Sequence, residues 1–164
     1  MPAVFAETLE QTLSAEKFGY ESVLVCEHHL LPDAGYFPQP LIAVAGLASA
    51  TKKIRVGTGI MLLPLYHPLH VAEMAATIDI ISAGRLELGI GAGWNEEESG
   101  AYGIELGSRR ERSDRFEEAC QVLIGLLSQQ TTDFDGRYYQ LAGARCEPKG
   151  SWSADATGRW CSTR

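Results

Sequence analysis

The chain has 164 residues, 45% hydrophobic and 21% charged, with a formal net charge of −7. That composition is ordinary for a soluble globular protein, and the length supports one domain with a packed core. The acidic balance speaks against a nucleic-acid or anionic-membrane surface, since both need clustered Lys and Arg. The densest basic group, Arg109, Arg110, Arg112 and Arg115, is interleaved with Glu111 and Asp114, the pattern of a solvated helix face. No apolar stretch approaches the roughly 18 residues that span a bilayer. The N-terminal MPAVFAETLEQ lacks the basic-then-apolar layout of a secretory signal. Cys26, Cys120, Cys146 and Cys161 are widely spaced with no C-x-x-C pair, so free thiols in a reducing cytoplasmic setting are expected.

In chain order, Phe5, Leu9 and Leu13 have the spacing of an amphipathic helix over about 5–18, with Gly19 as its C-cap. Ser22-Val-Leu-Val-Cys26 reads as a short strand buried on both faces. Residues 28–38 carry Pro32, Asp33, Gly35 and Pro38 and read as a loop. A helix rich in Ala and Leu follows over 39–50, then a strand over about 54–63 containing Gly57 and Gly59. Pro68 suits the first position of a helix reaching Ser82. After the Ala83-Gly84 turn, residues 85–91 form the next strand. Ser108 and Glu111 have capping-box spacing for a helix reaching Ser128. Asp135-Gly136, set among Phe134, Tyr138 and Tyr139, signals a hairpin over 131–141. Alternating helices and strands build parallel sheets through βαβ units. This alternation says α/β, and alone it does not choose between a barrel and an open sheet.

Such folds place ligands at the C-terminal ends of their strands. Those ends here are Glu27-His28-His29, Gly57-Thr-Gly-Ile60 leading to Leu63-Pro64, and Gly91-Ala-Gly-Trp-Asn95. Glycine lets backbone approach a flat ligand closely, and the first end sets a carboxylate beside two imidazoles. Other motifs are weaker. Gly89-x-Gly91-x-x-Trp94 lacks the third glycine of a dinucleotide fingerprint. His67, His70 and Glu73 have no second cluster at zinc spacing, so no metal is expected. Glu96, Glu97 and Glu98 read as a solvated helix start.

Four segments together, AEKFGYESVLVCEHH, IRVGTGIMLLPLYHP, MAATIDIISAGRLELGIGAGWNEEE and DFDGRYYQL, resemble the bacterial-luciferase-like superfamily. It includes flavin monooxygenases and reductases that use the deazaflavin coenzyme F-420. The resemblance covers about residues 6–148. It implies a partial (β/α)8 TIM barrel, about strands 2–4 with their helices and not closed. It implies a small-molecule oxidoreductase, with His28 catalytic and cofactor contacts at Glu27, Thr58, Gly59, Ile60, Gly91, Ala92 and Gly93. An imidazole, titrating near neutrality, suits proton transfer there. His29 is expected on the opposite face, in packing. A non-proline cis peptide is implied at Gly59-Ile60. Alanine at position 92 and the run GAGWNEEE look like the deazaflavin branch, while EHH looks like the flavin branch, so FMN and coenzyme F-420 both stay open.

The sequence also departs from the family pattern. Only Pro2 to Phe5 stand where a first strand would precede the first helix, and residues 149–164 (KGSWSADATGRWCSTR) lack an aliphatic run. That tail is expected to form neither strand nor packed helix. With permissible codons, a one-base forward shift turns it into a proline-rich lead and a valine strand, so a frameshift is expected. An open three-stranded sheet would leave two free edges and one uncovered face. Weak cofactor binding, self-association and negligible turnover are therefore expected of the chain alone. The rival to an oxidoreductase is a non-catalytic fragment acting as an association module.

Overall fold

The computed structural model describes residues 2–31, 37–150, 152–154 and 160–162. Helix α1 (Pro2–Lys17) leads into β1 (Ser22–Val25), α2 (Pro40–Ala50), β2 (Arg55–Leu62) and a 3-10 turn at Leu63–Leu65. Helix α3 (Pro68–Ser82), β3 (Leu86–Gly91), α4 (Glu96–Ala101) and α5 (Arg109–Ser128) follow. The hairpins β4 (Thr132–Asp135) with β5 (Gln140–Ala144), and β6 (Trp152–Ala154) with β7 (Trp160–Ser162), complete the described elements. Pro32, Asp33 and Gly35, assigned to a loop by sequence, lie outside the described residues.

Local chemistry explains the boundaries. Pro68 opens α3, and the His67 imidazole accepts the Leu69 N–H at 3.2 Å. Ala83 and Gly84 close it, both left-handed with φ of 56° and 82°, the conformation that releases the last carbonyls to capping bonds. Ser108 and Glu111 form the complete capping box of α5. Gly19 takes φ 80° just beyond α1, as a C-cap glycine should.

Strands β1, β2 and β3 form one parallel sheet in that order, with Val56 paired to Val23 on one side and Leu86 on the other. Val25, Val56, Met61 and Leu86 pack with α2, α3 and α5 in a single core. Among the described residues the opposite face is left partly open. Leu24 is 49% exposed there, so the expectation that this strand is buried on both faces is corrected. A run of three apolar residues does not reveal which neighbours are present to cover each face.

Among the described residues the sheet does not close into a barrel. The expectation that residues 149–164 form no strand also differs from the structure. Trp152–Ala154 and Trp160–Ser162 pair antiparallel, with β7 beside β3. Ladder bonds come from backbone, and tryptophan favours extended conformations, so no aliphatic run is required. Cys26, Cys120 and Cys146 are free thiols. Among the described residues, no helix is long and apolar enough to cross a membrane.

Two polar clamps hold the helices to the sheet. The Arg85 guanidinium donates to Ala48 O at 2.8 Å, Thr51 O at 3.1 Å, Ile54 O at 2.8 Å and Ser82 O at 2.7 Å. It thus satisfies carbonyls at the ends of both α2 and α3 that lack helical partners. The Glu16 carboxylate accepts the N–H groups of Lys52, Lys53 and Ile54 at 2.7–3.0 Å, tying α1 to the turn before β2. The Lys53 amide, followed by that of Ile54, holds the Glu16 carboxyl below its ordinary value.

Arg85→Ala leaves several carbonyls without a charged donor and should cost about 2–4 kcal/mol of unfolding free energy, read by urea denaturation. Because the Glu16 value is depressed by folding, its contribution is present above the unfolded-state value and is lost as pH falls through the folded one. The stability difference between the wild type and Glu16→Gln should therefore be largest near neutral pH and shrink in acid.

Candidate active site

The C-terminal ends of β1 and β2 are joined first by backbone, the Glu27 N–H donating to Ile60 O at 3.2 Å. The Glu27 side chain is 2% exposed. A carboxylate at that depth requires donors, and the chain supplies them. Oε2 accepts the Leu62 N–H at 2.6 Å, while Oε1 accepts the Tyr66 hydroxyl at 2.6 Å and meets His29 Nε2 at 2.9 Å. Burial, then the bond to Glu27, pushes the Tyr66 phenol up, so Tyr66 stays protonated and donates. His29 is buried as expected, and its Nδ1 meets the Tyr102 hydroxyl at 3.0 Å.

His28 keeps part of its side chain exposed. Its Nδ1 lies 2.7 Å from Glu98 Oε1, and the same oxygen accepts the His29 N–H at 3.0 Å. Glu98 is 2% exposed, which corrects the expectation of three solvated acids at 96–98. Successive helical residues turn by about 100°, so three in a row cannot all face solvent once the helix packs. Asn95 caps α4 through the N–H groups of Glu97 and Glu98, and that anchoring sets Glu98 inward. Glu98, Tyr66 and Tyr102 are the site residues that sequence reasoning missed. The three-acid run was the available signal for the first, and no local pattern marks the two tyrosines.

The peptide bond between Gly59 and Ile60 is cis, as the resemblance implies, and the β2–β3 register shifts between Thr58 and Met61. Ile60 is 41% exposed and lies over Gly89 and Gly91, where a side chain would collide with it or with backbone. Gly93 has φ 69° and Trp94 beside it is exposed. Ile60, Gly91, Ala92 and Gly93 thus make a low apolar ledge at the strand ends. Thr58 sits differently. It is buried, its hydroxyl donating to Gly89 O at 2.7 Å, so it ties β2 to β3. Cys26 Sγ donates to Gly59 O at 2.8 Å. His67 caps α3 and His70 pairs with Glu73 at 3.6 Å. Among the described residues, no three His, Cys, Asp or Glu converge as a metal site.

The missing side chains at Gly89 and Gly91 make room for the Thr58 carbonyl and the Ile60 side chain, and a part-exposed imidazole stands next to the residue bonded to Ile60 O.

Residues 1–151 match the family model described as luciferase-like monooxygenase. The chain belongs to this family. One relative is the F420-dependent glucose-6-phosphate dehydrogenase of Amycolatopsis mediterranei, 30% identical over 142 residues, covering 85% of this chain and 43% of that protein. Among solved structures, an F420-dependent secondary alcohol dehydrogenase in complex with an F420-acetone adduct aligns with TM-score 0.80 and 31% identity, covering 89% of this chain and 45% of that one. The oxygenating constituent of 3,6-diketocamphane monooxygenase from Pseudomonas putida, in complex with FMN, aligns with TM-score 0.75 and 25% identity, covering 96% and 41%. The chain therefore spans about two-fifths of the length of these relatives.

The glycines of the ledge differ in what a methyl would meet. At Gly89 it would run into the Thr58 carbonyl, which backbone pairing holds in place, whereas at Gly91 it would meet the end of the Ile60 side chain. Gly89→Ala should lower stability by about 2 kcal/mol or more and Gly91→Ala by less than about 1 kcal/mol, measured by denaturant titration.

Proposed function

We propose that the strand-end ledge takes the ring of FMN or coenzyme F-420 and that His28 moves a proton beside it during oxidoreduction of a small molecule. The observation that carries this reading is His28, oriented by a buried carboxylate at 2.7 Å next to the exposed Ile60 ledge. The relatives support it, since one is solved with FMN and another with an F420 adduct. They do so for both groups, and neither is favoured here.

A bound flavin or deazaflavin would supply the hydride or electron-pair transfer. The chain's own residues do the rest. Ile60 and the backbone of Gly91, Ala92 and Gly93 would bear the ring, with glycine allowing contact at van der Waals distance. His28 would exchange the proton that accompanies reduction or oxidation of the substrate. Glu27 and Thr58 act from beneath. Glu27 joins β1 to the segment after β2 and fixes His29, and Thr58 locks β2 to β3.

The strand-end segments 26–31, 58–67 and 89–104 contain no lysine or arginine. They therefore offer ring contacts without a cation for the cofactor's phosphate groups, and affinity rests on apolar burial.

Titrating the chain into FMN and, separately, into coenzyme F-420 and following ring fluorescence tests the reading. We expect saturable quenching with one of the two. Ile60→Asp, which sets a charge against the ring, should weaken binding at least about tenfold, or about 1.4 kcal/mol. No saturable change with either ligand would contradict the proposal and favour a non-catalytic association module.

A further inference from the structure

At one side of the parallel sheet the helix layer is wider than the strands beneath it. A helix that joins two parallel strands packs over both, as α2 does over β1 and β2. Helix α1 leads into β1 and packs against α2, so the same rule sets it over β1 and the place beyond its outer edge. Among the described residues that place holds no strand, since β1 ends its sheet. A cleft of about 430 Å³ lies there instead, between Thr8, Gln11, Thr12 and Ala15 of α1 and residues 23–26 of β1, with Tyr20 also lining it.

The backbone at that edge is set for pairing. The Glu21 carbonyl accepts the Arg55 N–H at 3.0 Å, and the Glu27 N–H donates to Ile60 O at 3.2 Å. Odd-numbered residues of β1 therefore turn their polar groups to β2, and even-numbered ones turn theirs outward. Cys26 follows this rule, its outward carbonyl accepting the Phe37 N–H at 3.1 Å. Leu24 is the next outward residue, and among the described residues its N–H and C=O meet no partner. Its side chain is 49% exposed and that of Tyr20 67%. An edge of this kind is a template for another strand. A second copy does not fit it. Two β1 edges paired about a two-fold axis keep both helix layers on one face, which would set the second α1 over β1, where α2 already lies.

We infer that this cleft takes one extended polypeptide segment from outside these 164 residues, hydrogen-bonded to Leu24 and roofed by α1. Strand addition draws affinity from main-chain bonds and selectivity from the side chains that alternate into the groove. The Thr8 and Thr12 hydroxyls donate to carbonyls of their own helix, Val4 O at 2.8 Å and Thr8 O at 2.7 Å. With Ala15 they leave α1 a surface of methyl groups, which suits small or β-branched side chains such as Val and Thr. Around it α1 exposes Glu7 and Glu10, and the exposed Glu21 precedes β1, against Lys17. That balance favours lysine or arginine at the ends of the segment.

The test is amide hydrogen exchange, followed by NMR on the 164-residue chain with and without the peptide KVTVTVK. In the free chain the Leu24 amide should exchange fast while those of Val23 and Val25, turned to β2, are protected. Saturating peptide should slow exchange at Leu24 at least about tenfold. Leu24→Pro removes only an outward N–H, which an edge strand tolerates, and should weaken peptide binding at least about tenfold. Gln11→Trp, at an exposed position of α1, fills the cleft and should do the same. If Leu24→Pro does not fold, Gln11→Trp carries the comparison. Absence of saturable binding, binding that leaves Leu24 unprotected, or binding unchanged in folded variants would overturn the inference. So would protection of Leu24 without peptide that grows with chain concentration as the mass doubles, which would make a second copy the occupant. The readout needs no cofactor, so it stands or falls separately from ring binding at the strand ends.

Discussion

The strand ends depend on one buried carboxylate. Glu27 leaves β1 and is stripped of solvent, so its charge must be met by donors from the chain. Its partners come from three places: the N–H of Leu62 as β2 ends and the phenol of Tyr66 after the 3-10 turn, which donate to it, and the ring of His29 at 2.9 Å. Removing one partner of such a group would leave the others unmatched, so the segments it joins are held as a unit. His28 lies between Glu27 and His29 in sequence and inherits its placement from both.

Around that centre the sheet divides its two faces between stability and chemistry. One face is aliphatic and packs against α2, α3 and α5. The other carries Gly57, Gly59, Gly89 and Gly91, where added side chains would strike Glu87, Leu24, Thr58 or Ile60. The same absence of side chains that weakens a strand in isolation lets neighbouring strands and their ends approach closely. That face also carries the Arg55–Glu87 ion pair at 2.5 Å.

Features with local causes were legible in the sequence. Pro68 and the Ala83-Gly84 turn delimit α3, Ser108 and Glu111 cap α5, and Asp135-Gly136 marks the hairpin that β4 and β5 form. The alternation of elements pointed to a parallel sheet, and the strand-end motifs pointed to the family. What could not be read were facts that depend on neighbours. Leu24 looks like core until its side chain is seen to be half exposed. Glu98 looks solvated until α4 is turned against His28. Thr58 looks like part of a ligand-facing strand, yet its hydroxyl is spent on Gly89. The tail strands at Trp152 and Trp160 depend on backbone pairing that no apolar pattern announces.

The proposed ring-binding site lies at the ends of β1, β2 and β3. An apolar groove between α2 and α3, lined by Leu41, Ile42, Ala45, Met74 and Ile78, is the natural competitor. Amide chemical-shift mapping during titration with FMN or coenzyme F-420 distinguishes the two directly. The account predicts that the largest shifts fall on His28, Ile60, Gly91, Ala92, Gly93 and Trp94. Shifts centred on Ile42 and Met74, with those strand ends unmoved, would contradict it.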